Sequence, residues 1–241
     1  MTSSTESSRR RSSADALPPL WQRLMASSGV VFAVLFVIGW FASGGDAPDY
    51  GAPDQDWISW AGDNQWKSRV GAFAMLLAAF VFLHFAATIR TALGNAETNV
   101  RGFAELARVA FAGAIVGISG MTMAIVIISS ATTEGADANP TVTRAMASTS
   151  AGPFLLSAVG FAAFLLPAGV LTLRSDVFAR WTGIVALIGA VSFLVAFATV
   201  LAGLGEDSIF GFGFFPGVLA IVIWSIATSL ATNRALSTTT S

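Results

Sequence analysis

The chain has 241 residues, 54% of them hydrophobic and only 11% charged, with a formal net charge of -1. Soluble domains carry nearer a quarter of their residues as charges, so this composition excludes an ordinary water-soluble fold, and the few Lys and Arg leave no basic surface for nucleic acid. Cysteine is absent, which excludes disulfides, thiolate metal sites and a cysteine nucleophile.

Residues 1–18 are mostly Ser, Thr and Arg. That composition buries too little apolar surface to order itself, so a disordered tail is expected there. Its Arg9, Arg10, Arg11 run sets topology or touches anionic lipid. A six-helix transmembrane domain is expected over 19–232, built from apolar segments at Trp21 to Ser43, Val70 to Ile89, Phe103 to Ala131, Ala145 to Leu173, Trp181 to Leu204 and Ile209 to Ala231. Each reaches the ~20 residues that a helix needs to cross ~30 Å of hydrocarbon, and none shows the alternation of a lipid-spanning strand. The first segment also has the basic lead and the small residues Ala42, Ser43 and Gly44 of an export signal, but it is longer than a usual signal core.

The connector from Gly44 to Ser68 carries its own pattern. Pro53, Asp54 and Asp56 read as a helix start, after which Trp57, Trp60 and Ala61 recur at helical spacing. A short amphipathic helix lying in the interface is expected, with Trp57, Trp60 and Trp66 as interfacial aromatics or as a lid over an outward cavity. The second segment holds the only histidine, His84. It falls six residues before Arg90, about 9 Å from the segment's end. Glu105 and Arg108, across a short connector, are its expected partners, in either a hydrogen-bonded staple or a proton relay.

In the third segment Ala110, Gly113, Gly117 and Gly120 share one face, suited to tight packing within the bundle or to a homodimer seam. The fourth segment has Arg144, Ser148, Thr149, Ser150 and Ser157 in its first half, interrupted by Pro153. With Thr122, Ser129 and Thr133 of the third segment, Arg144, Ser148 and Thr149 are expected to line an outward polar vestibule. The fifth segment starts at Arg180 and Trp181. The sixth either begins regular helix at Pro216 or passes through that proline with a bend, and a short tail is expected over 233–241. Thr88, Ile89, Arg90 and later Arg108 resemble Thr172, Leu173, Arg174 and later Arg180, a weak sign of parallel duplication.

Ten of the thirteen Lys and Arg (Arg9, Arg10, Arg11, Arg23, Arg90, Arg101, Arg108, Arg174, Arg180 and Arg234) fall on the termini and alternate connectors. The other connectors hold only Lys67, Arg69 and Arg144, together with most of the acids. Positive charge is retained in the cytoplasm, so both termini are expected there. A single Lys among the basic residues points to a GC-rich bacterial genome, and the bacterial plasma membrane is the expected location.

Chemistry is sparse. No G-x-S-x-G, H-E-x-x-H or Walker-type loop occurs, so no enzyme is expected. Haem would need His84 with Met75 or Met121, retinal would need a mid-membrane Lys, and the acids of the first connector lack a calcium loop's Gly and closing Glu. No cofactor and no metal are expected. The bias of Arg over Lys, the acidic Trp-bearing first connector and the Arg180, Trp181 helix start resemble the small Ala/Gly-rich six-helix membrane proteins of actinobacteria classed as domains of unknown function. The resemblance implies an all-α membrane bundle and no activity. The expected function is an accessory or structural membrane subunit, or a binder of a small apolar or amphipathic ligand. Its partners would be the lipid bilayer and other membrane subunits or a homodimer. The alternative is a small-solute or proton-coupled transporter using the vestibule and the His84 cluster.

Overall fold

The computed structural model describes residues 19–43, 48, 52–98, 105–133, 139–202 and 210–239; the expected N-terminal tail lies outside them. Seven helices occur among the described residues: α1 (Pro19–Ser43), α2 (Asp54–Glu97), α3 (Leu106–Ala131), α4 (Pro140–Thr149), α5 (Ala151–Arg174), α6 (Arg180–Ala202) and α7 (Phe210–Thr239). Six spans are long and apolar enough to cross a membrane, α4 and α5 together making one of them. The chain is an all-α, multi-pass membrane bundle.

The helices form a closed ring in the order α1, α2, α3, α5, α6, α7, with α7 packed back on α1. Every neighbour is antiparallel. Gly39 of α1 abuts Met75 of α2, Ser68 of α2 meets Ser129 of α3, and Gly113 of α3 abuts Ala163 of α5. Likewise Gly169 meets Gly183, Gly213 meets Ala196, and Gly29 meets Ser229. One end of the ring therefore gathers Arg90, Arg108, Arg174 and Arg180, and the opposite end holds α4.

Aromatic rings fill the axis. Phe82 lies against Phe32, Phe85, Phe161 and Phe164, with centroids 4.6–6.0 Å apart. Below it Trp224 packs on Phe85, Phe164 and Phe178, and toward α4 Phe214 packs on Trp40, Phe154 and Phe193. Aromatic pairs of this kind add about 0.5–1.5 kcal/mol each beyond burial. They give a bundle in lipid a specific attraction where hydrophobic burial alone would not distinguish core from solvent.

Three expectations about elements change. The short helix expected in the first connector is not separate: Pro53 precedes a single 44-residue helix with Asp54 and Asp56 in its first turn, where acids favour the helix dipole. No proline interrupts it before Glu97, and Gly62 alone does not stop a helix. At 1.5 Å per residue α2 is about 66 Å long, so its first turns stand beyond the hydrocarbon and do not lie in the interface. The fourth span is split at Ser150. Pro153 has no N–H for the Thr149 carbonyl, and α4 makes its own start with Pro140 in its first turn and the Asn139 side chain accepting from the Thr141 and Val142 amides at 3.0 and 3.4 Å. Finally, α7 passes through Pro216, as one of the two readings of the sixth segment expected, but runs on to Thr239, through most of the expected C-terminal tail. Asn233 ties it there by donating to Ser27 Oγ of α1 at 3.2 Å.

Candidate functional site

His84 does not meet Glu105 or Arg108. Its Nδ1 lies 3.0 Å from the carbonyl oxygen of Phe80, one turn back on the same helix, and its ring lies tilted against that of Phe80, with centroids 4.8 Å apart. Glu105 and Arg108 pair with each other at 2.6 Å, both more than half exposed. Helical arithmetic explains the separation: Ile89, Phe85 and Phe82 face the core, whereas His84 shares the outward face of Phe73, Leu77 and Phe80. Glu105 instead ends the connector in a left-handed conformation, φ 78°, and Glu97 accepts from the Ala107 amide at 3.4 Å. Met75 and Met121 are wholly buried, on a different side from His84, so these three side chains do not converge.

The six residues expected to line one vestibule are not brought together. Gly117 and Gly120 press α3 onto Phe161, Pro153 and Ser157 of α5, which closes the space between those helices. Ser129 and Thr133 instead border a shallow groove of about 310 Å³ between α2 and α3, with Arg69 and Phe73. There Ser129 donates to the Ser68 carbonyl at 3.4 Å, and the Thr133 carbonyl accepts from Gln65 at 2.5 Å. Thr122 and Thr149 satisfy their hydroxyls on carbonyls one turn back, at 2.7 Å each. Ser148 is exposed, and Arg144 pairs with Asp54 at 3.0 Å across α4 and α2.

Ala110, Gly113, Gly117 and Gly120 all face inward. A methyl on Gly113 would meet the Ala163 and Phe164 backbone at 2.6 Å, and one on Gly120 the Pro153 carbonyl at 2.7 Å. The glycine face is thus taken up by α5 within the chain and is closed to a second copy. Trp57 and Trp60 are also buried, forming a small cluster with Ala61, Ile128 and Ala147 of α4. Only Trp66, 74% exposed, has the surroundings of an interfacial aromatic. The packing of α4 onto the first turns of α2 covers the other two.

One further concavity was not among the expected sites. A groove of about 520 Å³ runs between α1 and α7 in the half of the ring nearer α4. Phe36 and Trp40 form its floor, Phe41, Phe215 and Leu219 its rims, and Pro216 its upper wall. Trp40 is fixed from behind by Phe36, Phe154 and Phe214. The lining is almost wholly apolar. In the sequence only the Pro216 break after the Phe-Gly run marked this place.

The model of one protein family, described as Domain of unknown function (DUF4386), matches residues 27–230. The chain belongs to that family. No curated protein and no solved structure matches it.

Proposed function

We propose that this member of the family is a non-catalytic membrane protein that holds the apolar part of an amphipathic molecule in the groove between α1 and α7. The groove supports this reading because its floor is pre-formed. Trp40 and Phe36 belong to the packed aromatic core, so an occupant meets a fixed surface, whereas annular lipid on the other faces meets separate side chains. The axis is packed with rings, which favours holding a ligand at the side of the ring over passing a solute through it. On the positive-inside rule the Arg-rich end faces the cytoplasm of a bacterial cell, and the groove opens to the outer leaflet.

The test is lipid retention. Purified in mild detergent, the protein should keep a defined lipid or lipid-like molecule, seen by native mass spectrometry. Leu219→Trp, which fills the groove from its rim, should release it while the melting temperature stays unchanged. Equal retention by the variant and the parent would refute the site.

A further inference from the structure

We infer that a polar pocket at the Arg-rich end of the ring binds a zwitterion, with a primary ammonium against Asp176 and an oxyanion against Arg174. The pocket lies between the last turns of α2 and the connector from α5 to α6, and encloses about 630 Å³, within the ~300–1,000 Å³ of small-ligand sites. Asn95, Arg174, Ser175 and Asp176 give it a polar lining that the groove between α1 and α7 lacks. It sits at the other end of the bundle from α4, so it is a separate site and does not rest on that groove.

Its floor is fixed. Ala92 and Val177 pack against the hydrophobic core, and the next residue, Phe178, is buried on Trp224 with ring centroids 6.3 Å apart. Above the floor α5 ends at Arg174, and Ser175 is extended, with φ -141° and ψ 171°. Residues on either side of an extended one project to the same side, so Arg174 and Asp176 both line the pocket. Asp176 nevertheless makes no ion pair and no hydrogen bond among the described residues, with Arg174 or any other. Ser175 gives its hydrogen to the Leu171 carbonyl at 2.7 Å, so toward a ligand its oxygen is an acceptor.

Retention of positive charge on one side of the membrane accounts for Arg174 but not for Asp176, because acids contribute little to topology. A carboxylate and a guanidinium on one rim match a ligand that carries both opposite charges. A simple anion would be repelled by Asp176 and a simple cation by Arg174. The ammonium is favoured on the Asp176 side by the Ser175 oxygen and by the C-terminal end of α2, whose dipole attracts cations. The guanidinium supplies the forked N–H donors that suit an oxyanion. An aminophospholipid headgroup and a free amino-phosphate solute share this chemistry.

Three probes test the site on the full chain in mild detergent, read by native mass spectrometry: phosphatidylethanolamine, phosphatidylglycerol, which lacks the ammonium, and glycerophosphoethanolamine, which has the zwitterion without the tails. Retention of phosphatidylethanolamine over phosphatidylglycerol, with no competition from glycerophosphoethanolamine, assigns the site to a lipid headgroup. Binding of glycerophosphoethanolamine itself assigns it to a free solute. In either case Asp176→Asn and Arg174→Gln should each weaken binding roughly tenfold, the size of one lost hydrogen bond to a charged group. Both side chains are exposed, and the melting temperature of each variant should match the parent's. Equal retention of the two lipids without binding of glycerophosphoethanolamine, or binding that survives either substitution, would overturn the inference.

Discussion

Gly160→Ala tests the closest approach in the ring. A methyl there lands on the Gly117 amide nitrogen, 2.5 Å from Gly117 Cα and 2.8 Å from the Val116 carbonyl carbon. All three are backbone atoms of a helix, so no side chain can rotate away. Ordinary contact begins near ~3.5 Å, and α3 and α5 must therefore separate by more than ~1 Å. A gap of that size forfeits up to about half of each dispersion well along the seam, including those at Gly113 and Gly120. Together with the strain of overpacking this gives a loss of about 3 kcal/mol, or about 6–12 °C in melting temperature for a chain of this length. Gly94→Ala is the control, because nothing lies within 4 Å of its added methyl and alanine favours a helix interior by about 1 kcal/mol. Thermal unfolding of both variants in the same detergent decides the matter. If Gly160→Ala melts as high as the parent, the α3–α5 packing described above is wrong.

Trp57→Ala removes a side chain that is 1% exposed and should cost about 3–5 kcal/mol, whereas Trp66→Ala should leave the melting temperature within error; parallel thermal scans separate a buried outer cluster from a membrane anchor. Ser229→Ala removes the hydroxyl that accepts from the Gly29 amide at 2.9 Å and should cost about 1 kcal/mol, read from the same scans. Asp54→Asn breaks the half-exposed pair with Arg144 and should change stability by under about 1 kcal/mol, an effect that shrinks further in high salt.

The six spans were legible because an apolar run of twenty residues has few alternatives, and so was a close-packing face on α3, although glycine spacing left open whether it packs within the bundle or against a second copy. The direction of His84 was not. In a soluble helix the polar face marks the outside, but around α2 both the core side (Phe82, Phe85, Ile89) and the lipid side (Phe73, Leu77, Phe80) are apolar, so hydropathy gives no orientation. The same degeneracy hid the partner of the glycine face, which is α5. Trp57 and Trp60 misled for a different reason: headgroup-depth tryptophans and buried ones have the same spacing, and only the separation of α4 as its own helix, with Ala147 facing them, tells them apart.

The position of the groove follows from where small residues are absent. Every other seam of the ring has a small residue set against a neighbouring helix: Gly39 against α2, Ser129 against Ser68, Gly113 and Gly120 against α5, Gly169 against Gly183, and Gly213 against the Ala196 and Ser192 backbone. The α1–α7 seam has such a contact only toward the Arg-rich end, where a methyl on Gly29 would meet Ser229 and Ser225 at 2.5–2.6 Å. From there toward α4 the facing residues become Phe36, Trp40 and Phe41 on one helix and Phe215, Leu219 and Val222 on the other. A small-residue contact closes this seam at one end and large rings line it at the other, where the groove lies. Ring closure at Gly29 and the opening at Trp40 are therefore two consequences of one gradient in side-chain size along a single seam.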